Sequence, residues 1–185
     1  MPANRSLPAK RADALRNRDK ILAAARTAFA DPSATVSMAE IARRADVGMP
    51  TLYRNFPGRR ELLEALYMDE VDAVVNAAET ATGDTPGEVL MAWLQQFFAF
   101  FTNKRHIATE LLKHTDAGDP VFGDNRTRVI TAGRPLLAAA QRTHEIRDDL
   151  TLEQILDMIH AIATIQSDTR YVEPILRAAR DGLRR

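Results

Sequence analysis

The chain contains no cysteine, which excludes disulfides, thiolate nucleophiles and thiolate zinc sites together. No stretch approaches the roughly 18 to 20 uninterrupted apolar residues that a membrane helix requires, and the start, MPANRSLPAKRADALRNRDK, lacks the apolar core of a secretion signal. A cytoplasmic location with no membrane partner is therefore expected. The histidines, His106, His114, His144 and His160, are scattered and lack the close spacing with carboxylates of a metal site on one helix, so neither metal nor cofactor is expected. Nucleophile elbow, phosphate loop and a convincing acid and base pair are missing as well, which leaves a small helical enzyme as the weakest reading and argues against catalysis. Strand alternation is nowhere sustained.

What is present begins with charge. Over 185 residues the formal charge is zero, but residues 1–60 carry 12 basic and 5 acidic side chains, a net +7, against 13 and 20 in the remainder, a net −7. A uniformly solvated surface mixes its signs, so the first third is suited to a polyanion and the rest is not. A hydrophobic content of 45% is ordinary for a globular protein with a sizeable core.

The pattern reads as all-α, nine helices in two domains: a basic arm over 1–16, a three-helix domain with a helix-turn-helix over 17–60, and a helical bundle over 61–185. Ile21, Leu22, Ala25, Ala28 and Phe29 stripe a first helix of about 14 residues, which Asp31-Pro32 ends because proline disfavours helical backbone in the residue before it. Ser37-Met-Ala-Glu40 is a capping box opening a short second helix that stops before Gly48, with Met38, Ile41, Ala42 and Ala45 as its buried face. A long helix from Arg59 carries Leu62, Leu63, Leu66, Val71 and Val74, and Thr85-Pro86-Gly87-Glu88 caps the next. Further helices are expected at Ile107 to His114, Pro120 to Thr143, Leu152 to about Ser167 and Glu173 to Ala179.

Between the second helix and the long one stands VGMPTLYRNFP, residues 47–57. At about 100° per residue Leu52 and Phe56 fall on one side, Pro50, Thr51 and Arg54 opposite, and Tyr53 and Asn55 on the flanks. Two turns are too short to be stable alone, so the two apolar residues must dock this helix while its polar face is held outward. Joined to its predecessor through Asp46-Val47-Gly48, it makes the arrangement in which a second helix enters the DNA major groove.

SMAEIARRADVGMPTLYRNFPGRRELLEAL resembles the DNA-binding domain of the TetR family of bacterial transcriptional regulators, and the resemblance covers roughly residues 16 to 67. HEIRDDLT and DGLRR are similar to features of many members. The resemblance implies that Met49, Pro50, Thr51, Tyr53 and Arg54 face the groove, with Tyr53 on a phosphate. Chemistry agrees: Thr51 can donate or accept, Met49 and Pro50 can touch a thymine methyl, and Arg54 can reach a guanine edge or a phosphate. Asn55 stands where the family often has a phosphate-binding histidine. Ser37, Arg43, Arg44 and Arg59 are further candidates for the phosphate backbone, Ser37 equally well serving as a helix cap alone. Lys10, Arg11, Arg16 and Arg18 can lie along a minor groove or remain disordered.

For the acidic remainder the resemblance implies effector binding and pairing of two subunits. Trp93, Phe97, Phe101, Leu111, His114 and Met158 are the candidate pocket, with Gln96 or Asn103 as further polar groups; five of the 11 aromatics fall between Trp93 and Phe101. Ordinary core packing accounts for the same residues. Ile155, Ile159, Ile162, Ile175 and Leu176 are the candidate dimer interface, or equally a core stripe. The expected protein is a regulator, usually a repressor in this family, that binds a palindromic operator on double-stranded DNA as a homodimer and is released by a small hydrophobic or amphipathic ligand. A DNA-binding dimer without any effector is the alternative.

Overall fold

A computed structural model describes the backbone of residues 7–30, 36–114 and 119–185, with side chains from residue 12 onward except those of 103–106. The helix break expected at Asp31-Pro32 and the side chains of Lys10, Arg11, Asn103 and His106 lie outside the described residues. The helices are α1 (Leu7–Ala28), α2 (Met38–Arg44), α3 (Met49–Asn55), α4 (Arg59–Thr80), α5 (Pro86–Leu112), α6 (Pro120–Arg142), α7 (Leu152–Ala163) and α8 (Thr169–Asp181). No strand occurs among the described residues, where Ile146 and Arg184 form an isolated bridge.

The all-α reading holds, with three boundaries moved. The basic segment expected as an arm is helical from Leu7 onward, since Pro8 sits in the first turn, where its missing N–H costs nothing, and Ala, Leu, Lys and Arg follow. Ile107 to His114, set apart as a helix of its own, continues α5 as far as Leu112, because neither proline nor glycine interrupts the chain between Glu88 and Leu112. The last helix begins at Thr169 rather than Glu173, its start satisfied by Asp168, which accepts from the Tyr171 amide at 2.9 Å.

Two compact units result: Met1–Tyr67 with His106–Thr115, and Met68–Arg105 with Asp116–Arg185. In unit one α1 packs on α2 and α3, and Ile21, Ala25, Ile41, Leu52, Phe56, Leu62, Leu63 and Leu66 form the core. The end of α2 is a Schellman motif: Val47 N–H reaches the Ala42 carbonyl at 3.0 Å and Asp46 N–H reaches that of Arg43 at 3.3 Å. The left-handed residue it needs is Asp46, at φ 53°, and not the nearby glycine. Gly48 instead caps α3 in extended conformation.

In unit two α7 packs on α6 and α8. Trp93 is fully buried and donates from Nε1 to the Val74 carbonyl at 3.0 Å. Its ring lies against Gly133 of α6, where any side chain would collide. The segments HEIRDDLT and DGLRR meet at the bridge, where Arg147 N–H donates to the Leu183 carbonyl at 2.9 Å. No described helix is long and apolar enough to cross a membrane.

Candidate nucleic-acid interface

The short helix α3 is placed as its periodicity predicts. Leu52 and Phe56 are buried at 0% and 1% exposure, while Tyr53 is 46% exposed and Pro50 and Arg54 are exposed beside it. Met49, Thr51 and Asn55 are half-buried at the edges of that face. Arg18 of α1 lies over the Phe56 ring at 4.7 Å, so a cation expected in the arm instead covers the anchor of α3.

Hydrogen bonds within α3 decide which polar groups point outward. Arg54 Nη2 donates to Thr51 Oγ1 at 2.9 Å, which aligns the guanidinium with the hydroxyl along the exposed face. No acid pairs with Arg54 among the described residues. Asn55 Nδ2 donates to the Thr51 carbonyl at 2.8 Å, so its amide is engaged with the helix's own backbone.

The flanking basic residues are less free than composition suggests. Ser37 Oγ accepts from the Glu40 amide at 3.1 Å and so caps α2. The reciprocal half of the expected capping box is absent. Glu40 turns instead to Arg43, at 2.8 and 2.9 Å, and to Arg44, at 2.6 Å. Two charged donors outcompete a single backbone amide, and their hydrogen bonds hold the Glu40 carboxyl down at about 2. Arg59 is further committed: it donates to Glu110 at 2.9 Å and to the Val36 carbonyl, and lies over the Phe29 ring at 4.9 Å. Hydrogen bonds from Lys113 and then Arg59 hold the Glu110 carboxyl below its usual range.

A two-turn helix held by two buried anchors, its polar face outward on a unit rich in arginine, is a helix-turn-helix reading head. The family model for bacterial regulatory proteins of the tetR family matches residues 21–66, and that for the C-terminal domain of SbtR-like transcriptional regulators matches residues 85–185. The chain belongs to the TetR family. It is a DNA-binding transcriptional regulator, a class distinct from enzymes. The crystal structure of a TetR transcriptional regulator from Streptomyces coelicolor is similar, with 35% identity, a TM-score of 0.74 and 90% of this chain against 98% of that one. Similar too is a TetR transcription regulatory protein from Mycobacterium vanbaalenii, with 31% identity, a TM-score of 0.75 and coverage of 95% and 99%. GusR of Salmonella enterica, 18% identical with a TM-score of 0.64, shares the fold. No curated protein matches the chain.

In this TetR-family chain four of the six residues expected around an effector, Trp93, Phe97, Phe101 and Met158, belong to unit two. Trp93 and Phe97 are core, and the row continues through Phe101, whose ring meets Phe97 at 4.9 Å and His160 at 4.4 Å. Met158 is half-buried in unit two, whereas Leu111, buried, and His114, exposed, belong to unit one. Cavities of about 580 and about 600 Å³ open in unit two, and none of the six lines either.

The stripe expected at a dimer interface is mostly covered within the chain. Ile155, Ile159, Ile162 and Leu176 are buried within the chain and Ile175 is half-buried, so this stripe is the core of unit two. What the sequence reading missed is the first cavity, between Gln95, Phe98 and Ala99 of α5 and Val172, Leu176 and Arg180 of α8. The signal lay in the i, i+3, i+4 and i+4, i+8 spacings of those two sets.

Proposed function

We propose that this regulator is a repressor that binds a palindromic operator as a homodimer through α3 and is released by a small apolar or amphipathic effector held in unit two. The observation that carries the reading is the outward pairing of Arg54 with Thr51 beside exposed Tyr53, on a helix whose only buried side chain is Leu52. Met49, Pro50, Thr51 and Arg54 read base edges, while Tyr53, Asn55, Ser37, Arg43 and Arg44 meet phosphates. Arg59 keeps an internal role.

One two-turn helix spans only a few base pairs, so a second copy about one helical turn away supplies the remaining affinity and specificity. With the isoleucine stripe turned inward, pairing falls to the outer faces of α7 and α8. Tyr171, at 60% exposure, and the exposed Pro174 and Ala178 share one side of α8; Ala161 is exposed on α7.

Selection of randomised duplexes by the purified protein tests the reading. Retained sequences are expected to share an inverted repeat with half-sites about 10 base pairs apart, and sedimentation is expected to show a dimer. Failure to enrich any sequence overturns specific recognition, and a monomer on DNA overturns the palindrome.

A further inference from the structure

The 580 Å³ cavity of unit two lies on a different side of α5 from the buried Trp93 and Phe97. Its volume falls in the range of small-molecule sites, about 300 to 1,000 Å³. Phe98, Ala99, Ile165, Val172 and Leu176 supply apolar wall, and the remainder of the lining, Glu173 included, is mostly polar. Two cations, Arg177 and Arg180, and one acid, Glu173, reach it. Arg177 is paired with Glu173 at 3.3 Å, which leaves Arg180.

Arg180 is half-buried and has no carboxylate partner among the described residues. Its Nη1 donates to the neutral Gln95 amide oxygen at 2.9 Å, and its Nε is buried without an acceptor. A buried guanidinium N–H without an acceptor is unfavourable, and the planar fork of arginine matches a carboxylate through two parallel hydrogen bonds. An anionic head that draws the guanidinium toward the cavity satisfies the Nε, while the apolar part of the wall, at Phe98, Val172 and Leu176, takes a hydrocarbon body.

We infer that this cavity binds an amphipathic carboxylate, with Arg180 holding the head group and Phe98, Val172 and Leu176 covering the tail. The inference rests on the proposed effector response and gives it a ligand class and a route. Val172, Leu176 and Arg180 line the cavity from one side of α8, while Tyr171, Pro174 and Ala178 are exposed on the other. An occupant that repositions α8 therefore changes how two subunits pair, and with it the spacing of the reading heads.

Calorimetry on the full chain with decanoate, decanol and decyltrimethylammonium tests this, with DNA binding followed separately on a selected duplex. Decanoate is expected to bind at least about tenfold more tightly than decanol, and the cation not at all. Arg180→Met is expected to bring decanoate down to the level of decanol. Ala99→Phe, which fills the cavity, is expected to abolish both while duplex binding persists. Equal binding of the three probes by the unaltered chain overturns the anionic class without recourse to any variant. Decanoate binding that survives Ala99→Phe places the site elsewhere, and absence of binding by protein that still holds its duplex overturns the cavity alone. Loss of duplex recognition in the unaltered chain overturns the regulator reading instead.

Discussion

Gly133→Ala should destabilise unit two, against the ordinary preference of helices for alanine. A methyl built on Gly133 sits 2.1 Å from Trp93 Cη2, 2.4 Å from Cζ3 and 2.9 Å from Cζ2. Carbon atoms pack at about 3.5 to 4.0 Å, so the ring or the helix must give by about 1.5 Å. Neither is free to do so, because the indole is fully buried and tethered to the Val74 carbonyl at 3.0 Å. Overpacking costs about 1–3 kcal/mol, and overlap this deep belongs at the upper end. Helix propensity returns about 1 kcal/mol to alanine, leaving a net loss of about 1–2 kcal/mol. Trp93→Phe deletes the three colliding carbons, and in that background Gly133→Ala should be neutral or stabilising. Urea unfolding of the four proteins, followed by far-ultraviolet circular dichroism, measures the coupling, expected at about 2 kcal/mol. Equal stabilisation by Gly133→Ala in both backgrounds would refute the packing argument.

Phe56→Ala removes a side chain at 1% exposure that anchors α3 and carries Arg18 on its face, and should cost unit one about 3–5 kcal/mol; a mobility-shift titration is expected to show DNA binding lost. Tyr53→Phe should weaken all duplexes by a similar factor, whereas Thr51→Ala, which also frees the Arg54 guanidinium, should alter preference at one or two base pairs of each half-site; unchanged affinity in the first together with unchanged preference in the second would remove α3 as the reader. Glu40→Gln releases Arg43 and Arg44, so the dependence of DNA affinity on salt should steepen by up to about 0.9 for each arginine that gains a phosphate, and an unchanged slope would show that neither reaches one. The Glu40 carboxyl is lowered on folding, so its stabilisation is complete above the unfolded value of about 4.3 and fades as pH falls toward its folded value of about 2; acid titration of Glu40→Gln, monitored by circular dichroism, should lack that component.

Periodicity and capping chemistry are local, and what depends on them was legible in the residues alone. Leu52 and Phe56 are the wholly apolar aliphatic and phenyl side chains of the segment and fall on one side of α3, and Ser37, Thr85 and Thr151 each accept from an amide three residues on. The helix-turn-helix and the polarity of its outer face follow from those constraints. Tertiary structure decided what each buried face is buried against. A stripe such as Ile155, Ile159 and Ile162 has the same sequence pattern whether it meets a partner subunit or its own chain, and only the positions of α6 and α8 assign it to the core. Competition among distant polar groups is likewise invisible in sequence. Arg59 is drawn to Val36 and Glu110, far along the chain, because a carboxylate and a carbonyl converge on it in unit one. Arg180 donates to the neutral Gln95 amide, because the packing of α5 against α8 brings these two side chains together while the acid that lines the same cavity, Glu173, is paired with Arg177.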